Sequence, residues 1–183
     1  PQILFTMHLV EIDGKRLLST LGIAVPQGTL FSDPGFAPPT LTGNGPWFLK
    51  AQVLQGQRGT RGLVVRVDHP TELEEKLSTL QKAIAEEPCA GILLETATPA
   101  SEQWFFGCDL DRETGQVRIN FSSEGGSAVS ASQTITDIST LPPPVRELAQ
   151  KLIQALPAWD ALRIEINPLA IQTNGTLIAL DAK

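Results

Sequence analysis

Residues 162–181 read LRIEINPLAIQTNGTLIALD, a pattern of two strands joined by a turn. Leu162, Ile164 and Ile166 alternate with Arg163, Glu165 and Asn167, the period of a strand with one face in a core. Thr176 to Leu180 is a second apolar run, and Asn174-Gly175 between them is a hairpin signal because both residues tolerate positive φ. A two-residue loop at 174–175 places Gln172 opposite Leu177 and Pro168 opposite Asp181. Asn167 and Asp181 are then one residue out of register. Pro168 donates nothing to a ladder, so a bulge or strand end is expected there, and it would bring the two level. A carboxylate beside an amide carbonyl is a hard-oxygen set suited to Mg²⁺. A solvated strand edge is the other reading of the same residues.

The rest of the chain bounds the answer. Its 183 residues suffice for one good core or two small lobes, and 42% apolar content is ordinary for a globular protein. No apolar run is long enough to span a bilayer. The net charge of −6 with no basic cluster gives nucleic-acid binding no electrostatic support. Cys89 and Cys108 lack zinc-ligand spacing with each other or with His8 and His69, and read as buried thiols in a reducing cytoplasm. No secretory signal is expected: the residues before Met7 carry no basic segment, and Met7 reads as a natural start.

The expected order of elements is β-α-β, then paired antiparallel strands, then a helix and the closing hairpin. Residues 7–21 suit a short amphipathic helix stopped by Gly22. Ile23 to Pro26 is extended, and Ser32 to Asn44 is a Pro/Gly loop. Trp47–Val53 and Leu63–Val67 read as strands. Thr71 to Glu86 is a helix with Leu73, Leu77, Leu80 and Ile84 on one face. Gly91 to Glu95 is a strand, and 104–110 with 116–122 form a hairpin. Residues 127–140 are mostly irregular, and Val145 to Leu156 is a helix with Pro144 at its first position. The pattern is an α+β chain in two lobes with a cleft.

Four segments carry candidate chemistry. Lys50 lies inside an apolar strand, where a cation is costly unless it is paired or reaches water. A loop containing Gly56, Gln57, Arg58, Gly59, Arg61 and Gly62 follows, and reads either as a phosphate cradle or as a hairpin with solvated arginines. Glu95 ends a buried strand, placed to face an adenine or to cap a turn. SSEGG at 122–126 is an anion nest or a tight turn. No Ser-His-Asp or Cys-His arrangement is present.

In order along the chain stand MHLVEIDGKRLLSTLGIAVPQG at 7–28, GPWFLKAQV at 45–53, GQRGTRGL at 56–63, SSEGG, EINPL at 165–169 and a closing LDAK at 180–183. Together they resemble the ATP-grasp region of the succinyl-CoA synthetase β-subunit family, which includes citryl-CoA synthetase, malate–CoA ligase and the front part of ATP-citrate lyase. The resemblance covers residues 7–183.

The resemblance implies an ATP-grasp fold of mainly antiparallel sheets with flanking helices. Lobe A would take about 7–26 plus 103–183 and lobe B about 27–102, with the family's C-terminal CoA-ligase domain absent. It implies Lys50 on nucleotide phosphates and Gln57, Arg58 and Gly59 as the phosphate loop. Glu95, with the backbone near Ala97 and Thr98, would meet base and ribose, and Gln103 stands where a ribose- or base-binding glutamate is usual. Asn167 and Asp181 match the two protein ligands of Mg²⁺. Glu165 matches a carboxylate that steadies a phosphohistidine delivered by a partner α-subunit, which also carries CoA. Pro26 leans the nucleotide towards ATP over GTP. The chain departs from the family at Gln57, a glycine there, at Gln103, and at the Pro-rich 32–44 segment that replaces a helix. The expected function is the Mg·ATP-binding part of an acid–CoA ligase, with the isolated chain inactive. A non-catalytic ATP-grasp module with a structural or partner-binding role is the alternative.

Overall fold

A computed structural model describes residues 7–32, 40–41, 44–84, 87–126 and 132–183. Most of the expected 32–44 loop, and residues 127–131 of the Ser/Thr-rich segment, lie outside these. Two compact units emerge. One comprises the chain up to Asp13 together with Gln27–Ala97, and the other Gly14–Pro26 with Thr98–Lys183. The division falls inside the opening helix α1, Glu11–Thr20, rather than at either of its ends.

The first unit is a four-stranded antiparallel sheet of β1 (Gly28–Phe31), β2 (Trp47–Val53), β3 (Val64–Val67) and β4 (Cys89–Thr96), in the order β1-β4-β2-β3. Along β2 the residues alternate: Trp47, Leu49, Ala51 and Val53 enter the core. A short 3-10 turn at Pro70–Glu72 leads into α2, Leu73–Ile84, with proline in the first turn, where its missing N–H costs nothing. Leu73, Leu77 and Leu80, spaced at helical period, join the same core. Strand β1 was not legible in the sequence. It is a short edge strand whose ladder partner among the described residues, β4, is supplied from more than sixty residues away.

The second unit holds a five-stranded sheet, β7-β6-β5-β8-β9 in order, all pairs antiparallel. Its strands are β5 (Glu102–Leu110), β6 (Val117–Ser122), β7 (Gln133–Ile135), β8 (Arg163–Ile171) and β9 (Leu177–Ala179). Strand β7 is again a short edge, inside the stretch expected to be irregular. Helix α3, Pro143–Ala158, begins two residues before the expected start, so Pro143 rather than Pro144 takes the first position. Val145, Leu148, Leu152 and Leu156 pack with Phe106, Ile119, Ile164 and Ile166. Leu18 of α1 and Ile23 belong to this core. Gly22, at φ +71°, ends α1: its N–H donates to the Ser19 carbonyl at 3.0 Å and the Ile23 N–H to the Leu18 carbonyl at 3.2 Å. The pairing is that of a Schellman cap.

The closing hairpin forms, with a different register from the one expected. Ile171 faces Leu177 and Leu169 faces Ala179. The Gln172 N–H donates to the Thr176 carbonyl at 3.0 Å, so the loop takes three residues, Thr173 to Gly175. Only Gly175 has positive φ, +83°, as in a turn closed by one left-handed residue. A two-residue turn of the expected kind would need positive φ at Asn174 as well.

Cys108 is fully buried and Cys89 partly so. Burial first, then the neighbouring Asp109 charge, pushes the Cys108 thiol up to about 12 from 9.0. The folded thiol keeps its proton to higher pH than the unfolded one. Its contribution is therefore complete below pH 9 and is lost as pH rises towards 12. Urea unfolding from pH 8 to 11 should show an alkaline loss of up to about 1.4 kcal/mol per pH unit that Cys108→Ala lacks. Equal slopes in both proteins would refute it.

Candidate functional site

In the first unit the polar face of β2 is the centre. Lys50 and Gln52 share the face opposite the core leucines, yet are only 8% and 0% exposed. Lys50 Nζ lies 2.9 Å from Glu11 Oε1 and 2.7 Å from Glu95 Oε2. The second oxygen of Glu11 lies 2.6 Å from Arg58 Nη2, and Arg58 Nη1 donates to the Ala51 carbonyl at 3.1 Å. All four charged side chains are buried, and they carry two charges of each sign. Burial alone would depress the Lys50 pKa, and the Glu11 and Glu95 carboxylates outweigh it, so the ammonium is held above its usual 10.5.

Local structure fixes each member. Glu11 opens α1, where a carboxylate suits the positive helix end. The Ile12 N–H, an orphan donor of that first turn, is satisfied by Gln52 Oε1 at 2.9 Å. Glu95 stands opposite Gly28 on one side and Phe48 on the other. A Cβ on Gly28 would fall 2.6 Å from Glu95 Cγ and 2.8 Å from the Leu94 carbonyl oxygen, so only glycine lets the carboxylate lie there. Gln57 and Gly59 are exposed on the turn that follows β2, with Gln57 at φ +59°. The residue where the resemblance has glycine thus keeps a backbone that glycine adopts freely.

In the second unit the corrected register matters most. Leu169 faces Ala179 and Ile166 faces Ala182, so the intervening Asn167 faces Asp181 with no bulge between β8 and the closing segment. Glu165 and Lys183 exchange both backbone hydrogen bonds, at 2.8 and 2.9 Å. The expected bulge exists on the other side of the strand. Between Trp104↔Leu169 and Phe106↔Ile166, β8 carries two residues, Asn167 and Pro168, against one of β5.

Asn167 Oδ1 accepts the Gly126 N–H at 2.5 Å, and its Nδ2 points back to the Gly126 carbonyl at 3.4 Å. The amide is thereby oriented by the SSEGG turn, and its oxygen keeps a second lone pair for another partner. Gly125 presses on β5, where a Cβ would meet the Trp104 carbonyl oxygen at 2.5 Å. A Cβ on Gly126 would lie 3.5 Å from Gln103 Oε1. Gln103, the glycine turn and Asn167 therefore form one neighbourhood. Glu165 lies two residues along on the same face as Asn167, and its Oε2 accepts from Arg163 Nη2 at 2.9 Å. Thr98 begins the second segment of this unit. Ala97, the last residue of the first unit, donates its N–H to the Pro46 carbonyl of that same unit at 2.8 Å. Among the described residues no three His, Cys, Asp or Glu side chains gather as a metal site. The hard-oxygen pair Asn167 and Asp181 fits Mg²⁺ that takes its remaining oxygens from phosphate and water.

A family profile described as an ATP-grasp domain matches residues 8–136. The chain belongs to the ATP-grasp family. It is 33% identical to the β-subunit of the ADP-forming succinate–CoA ligase of Proteus mirabilis, over 97% of this chain and 55% of that protein. The corresponding subunit of Xylella fastidiosa is 30% identical over a similar span. This ATP-grasp chain therefore spans about half the length of the curated relatives it matches. The aligned 215 positions exceed its 183 residues, so the Proteus subunit carries segments that this chain does without. Among solved structures, the dinucleotide-forming acetyl-coenzyme A synthetase 1 of Candidatus Korarchaeum cryptofilum superposes with a TM-score of 0.74 at 16% identity, covering 95% of this chain and 91% of that one. The ATP citrate lyase of Methanothrix soehngenii gives 0.52 at 24% identity, over 75% and 37%. At these identities the likeness is one of fold. The expected α+β ATP-grasp architecture of two antiparallel sheets with flanking helices is the one observed. No helix among the described residues is long and apolar enough to cross a membrane.

Of the site residues expected from the sequence, Lys50, Arg58 and Glu95 come together, through Glu11. The sequence reading passed over Glu11 and Gln52. One signal was present for each: Glu11 and Lys15 are charged residues one turn apart in α1, and Gln52 interrupts β2 at the same parity as Lys50. All four are at most 8% exposed.

Proposed function

We propose that this chain is the Mg·ATP-binding part of an ADP-forming acyl-CoA ligase, whose phosphoryl group passes to a histidine on a partner subunit that also carries CoA. The observation that supports this most is Asn167 standing level with Asp181 across the hairpin, in a chain of the ATP-grasp family. Asn167 and Asp181 would hold the cation, which when bound neutralises charge on the phosphates. Lys50 answers the phosphates as an ammonium that stays protonated throughout the neutral range, and the turn at 57–59, exposed at Gln57 and Gly59, presents backbone N–H groups. Gln103 and Thr98 meet the nucleoside through hydrogen bonds without charge. Glu165 steadies the incoming histidine, in exchange for its present partner Arg163. Chemistry of this kind asks the chain for positioning and charge neutralisation rather than for a nucleophile.

The alternative, a non-catalytic ATP-grasp module, draws on the neutral Glu11–Lys50–Arg58–Glu95 group, which carries no net positive charge towards a phosphate. A thermal-shift titration decides whether nucleotide binds at all. A ligand at one hundred times its Kd adds about 2.7 kcal/mol to the native state. Mg·ATP is expected to raise the melting temperature by several degrees, and ATP with a chelator by clearly less. No shift at millimolar Mg·ATP would remove the proposal.

A further inference from the structure

We infer that Arg58 is a positioning residue that acts through Glu11 on Lys50, and not a phosphate ligand in its own right. The inference deepens the proposed function and rests on Lys50 being the phosphate-binding cation. Its basis is geometric. The Arg58 guanidinium is turned inwards: the side chain is 4% exposed, with Nη1 on the Ala51 carbonyl at 3.1 Å and Nη2 on Glu11 Oε2 at 2.6 Å. Gln57 and Gly59 on either side of it are exposed. The turn thus sends its cation into the protein and leaves its backbone outside.

Glu11 is the link, because one carboxylate serves both cations, Oε1 towards Lys50 at 2.9 Å and Oε2 towards Arg58. A carboxylate shared with a guanidinium binds an ammonium less tightly than one that faces it alone. Arg58 therefore sets how readily Lys50 leaves Glu11 for an arriving phosphate, while Glu95 on β4 balances the remaining charge at 2.7 Å. Glu11 from α1 and Glu95 from β4 face Lys50, with Arg58 behind Glu11.

Charge counting yields a test. Arg58→Met removes one of the cations that Glu11 serves. Lys50 is then held more tightly by a Glu11 that has lost one cation, and the group is more negative by one charge towards a phosphate. Adding Glu11→Gln removes the matching negative charge and loosens that hold, with Glu95 still beside Lys50. Calorimetric titration of Mg·ATP should find the single variant at least about tenfold weaker than wild type and the double variant within about threefold of it. Adenosine, which has no phosphate, should bind all of them within about twofold. A double variant as weak as the single one would overturn the inference, since it would mean that Arg58 touches the ligand. Should Arg58→Met not fold, the double variant decides alone, because removing both members of a buried pair is far milder than removing one. A tenfold loss in it counts against the inference. Should wild type bind no Mg·ATP, the proposed function falls and the Arg58–Glu11–Lys50 relay is still read by NMR titration of Lys50 Cε. Arg58→Met should move the Lys50 midpoint, and in a Glu11→Gln background should move it by less than half as much. Equal movement in both backgrounds overturns the inference.

Discussion

Lys50→Met is expected to lower folding stability by about 3–5 kcal/mol. Methionine keeps the aliphatic stem, so the loss is electrostatic rather than one of packing. It leaves Glu95, 3% exposed, without its ammonium, and leaves Glu11, 2% exposed, with one fewer cation. A buried carboxylate that loses a cation keeps the cost of leaving water with less to offset it. Urea unfolding followed by circular dichroism measures the difference. Lys50→Met/Glu95→Gln should recover at least half of it, because the buried charge that lost its ammonium is removed as well. The pH dependence has a definite sign. The Lys50 pKa is raised, so its pairing contributes fully below 10.5 and is lost as pH climbs through the higher folded value. The advantage of wild type over Lys50→Met should therefore be constant through the neutral range and shrink above pH 10.5. A loss under about 1 kcal/mol at pH 7 would mean that Lys50 has the energetics of a surface ion pair, contrary to its burial.

Local signals carried much of the fold. The leucines at 73, 77 and 80 mark the buried face of α2, and Gly22 marks the end of α1, because period and backbone conformation are written in neighbouring residues. Signals that depend on distant partners did not show. Strands β1 and β7 are three or four residues long, and each exists because a longer strand offers a ladder edge. Gly28 looks like any loop glycine until β4 is laid beside it and the room taken by Glu95 and the Leu94 carbonyl becomes visible. Lys50 announced itself as a cation in an apolar strand, yet the identity of its partners was hidden: Glu11 is 39 residues earlier and Glu95 is on a neighbouring strand. The hairpin is the intermediate case. An Asn-Gly pair serves a two-residue turn or a three-residue loop equally well, and the one-residue difference between them decides which side chains face each other.

That difference bears directly on Asp181→Asn, the second large effect. In the observed register Asn167 and Asp181 are opposite each other, where the two-residue turn would have left them staggered. Asn167 is held by both Gly126 backbone groups, so its oxygen is oriented before any ligand arrives. A pre-oriented neutral oxygen gives little affinity for Mg²⁺ alone. In the proposed site the negative charge that the cation needs from the protein would come from Asp181, and the remainder from the phosphates it arrives with. Asp181→Asn preserves size and hydrogen-bonding reach while removing that charge. ATP affinity in the presence of Mg²⁺ should fall at least about tenfold, equivalent to about 1.4 kcal/mol. ATP affinity with a chelator should be the same in both proteins, since without the cation the carboxylate offers the phosphates nothing. Calorimetric titration of ATP into wild type and variant, with Mg²⁺ and with chelator, gives the four values required. Unequal affinities in chelator would mean that Asp181 acts on the fold or on the nucleotide itself. Equal dependence on Mg²⁺ in the two proteins would remove the metal from this hairpin and leave the Asn167–Asp181 alignment as a feature of strand pairing alone.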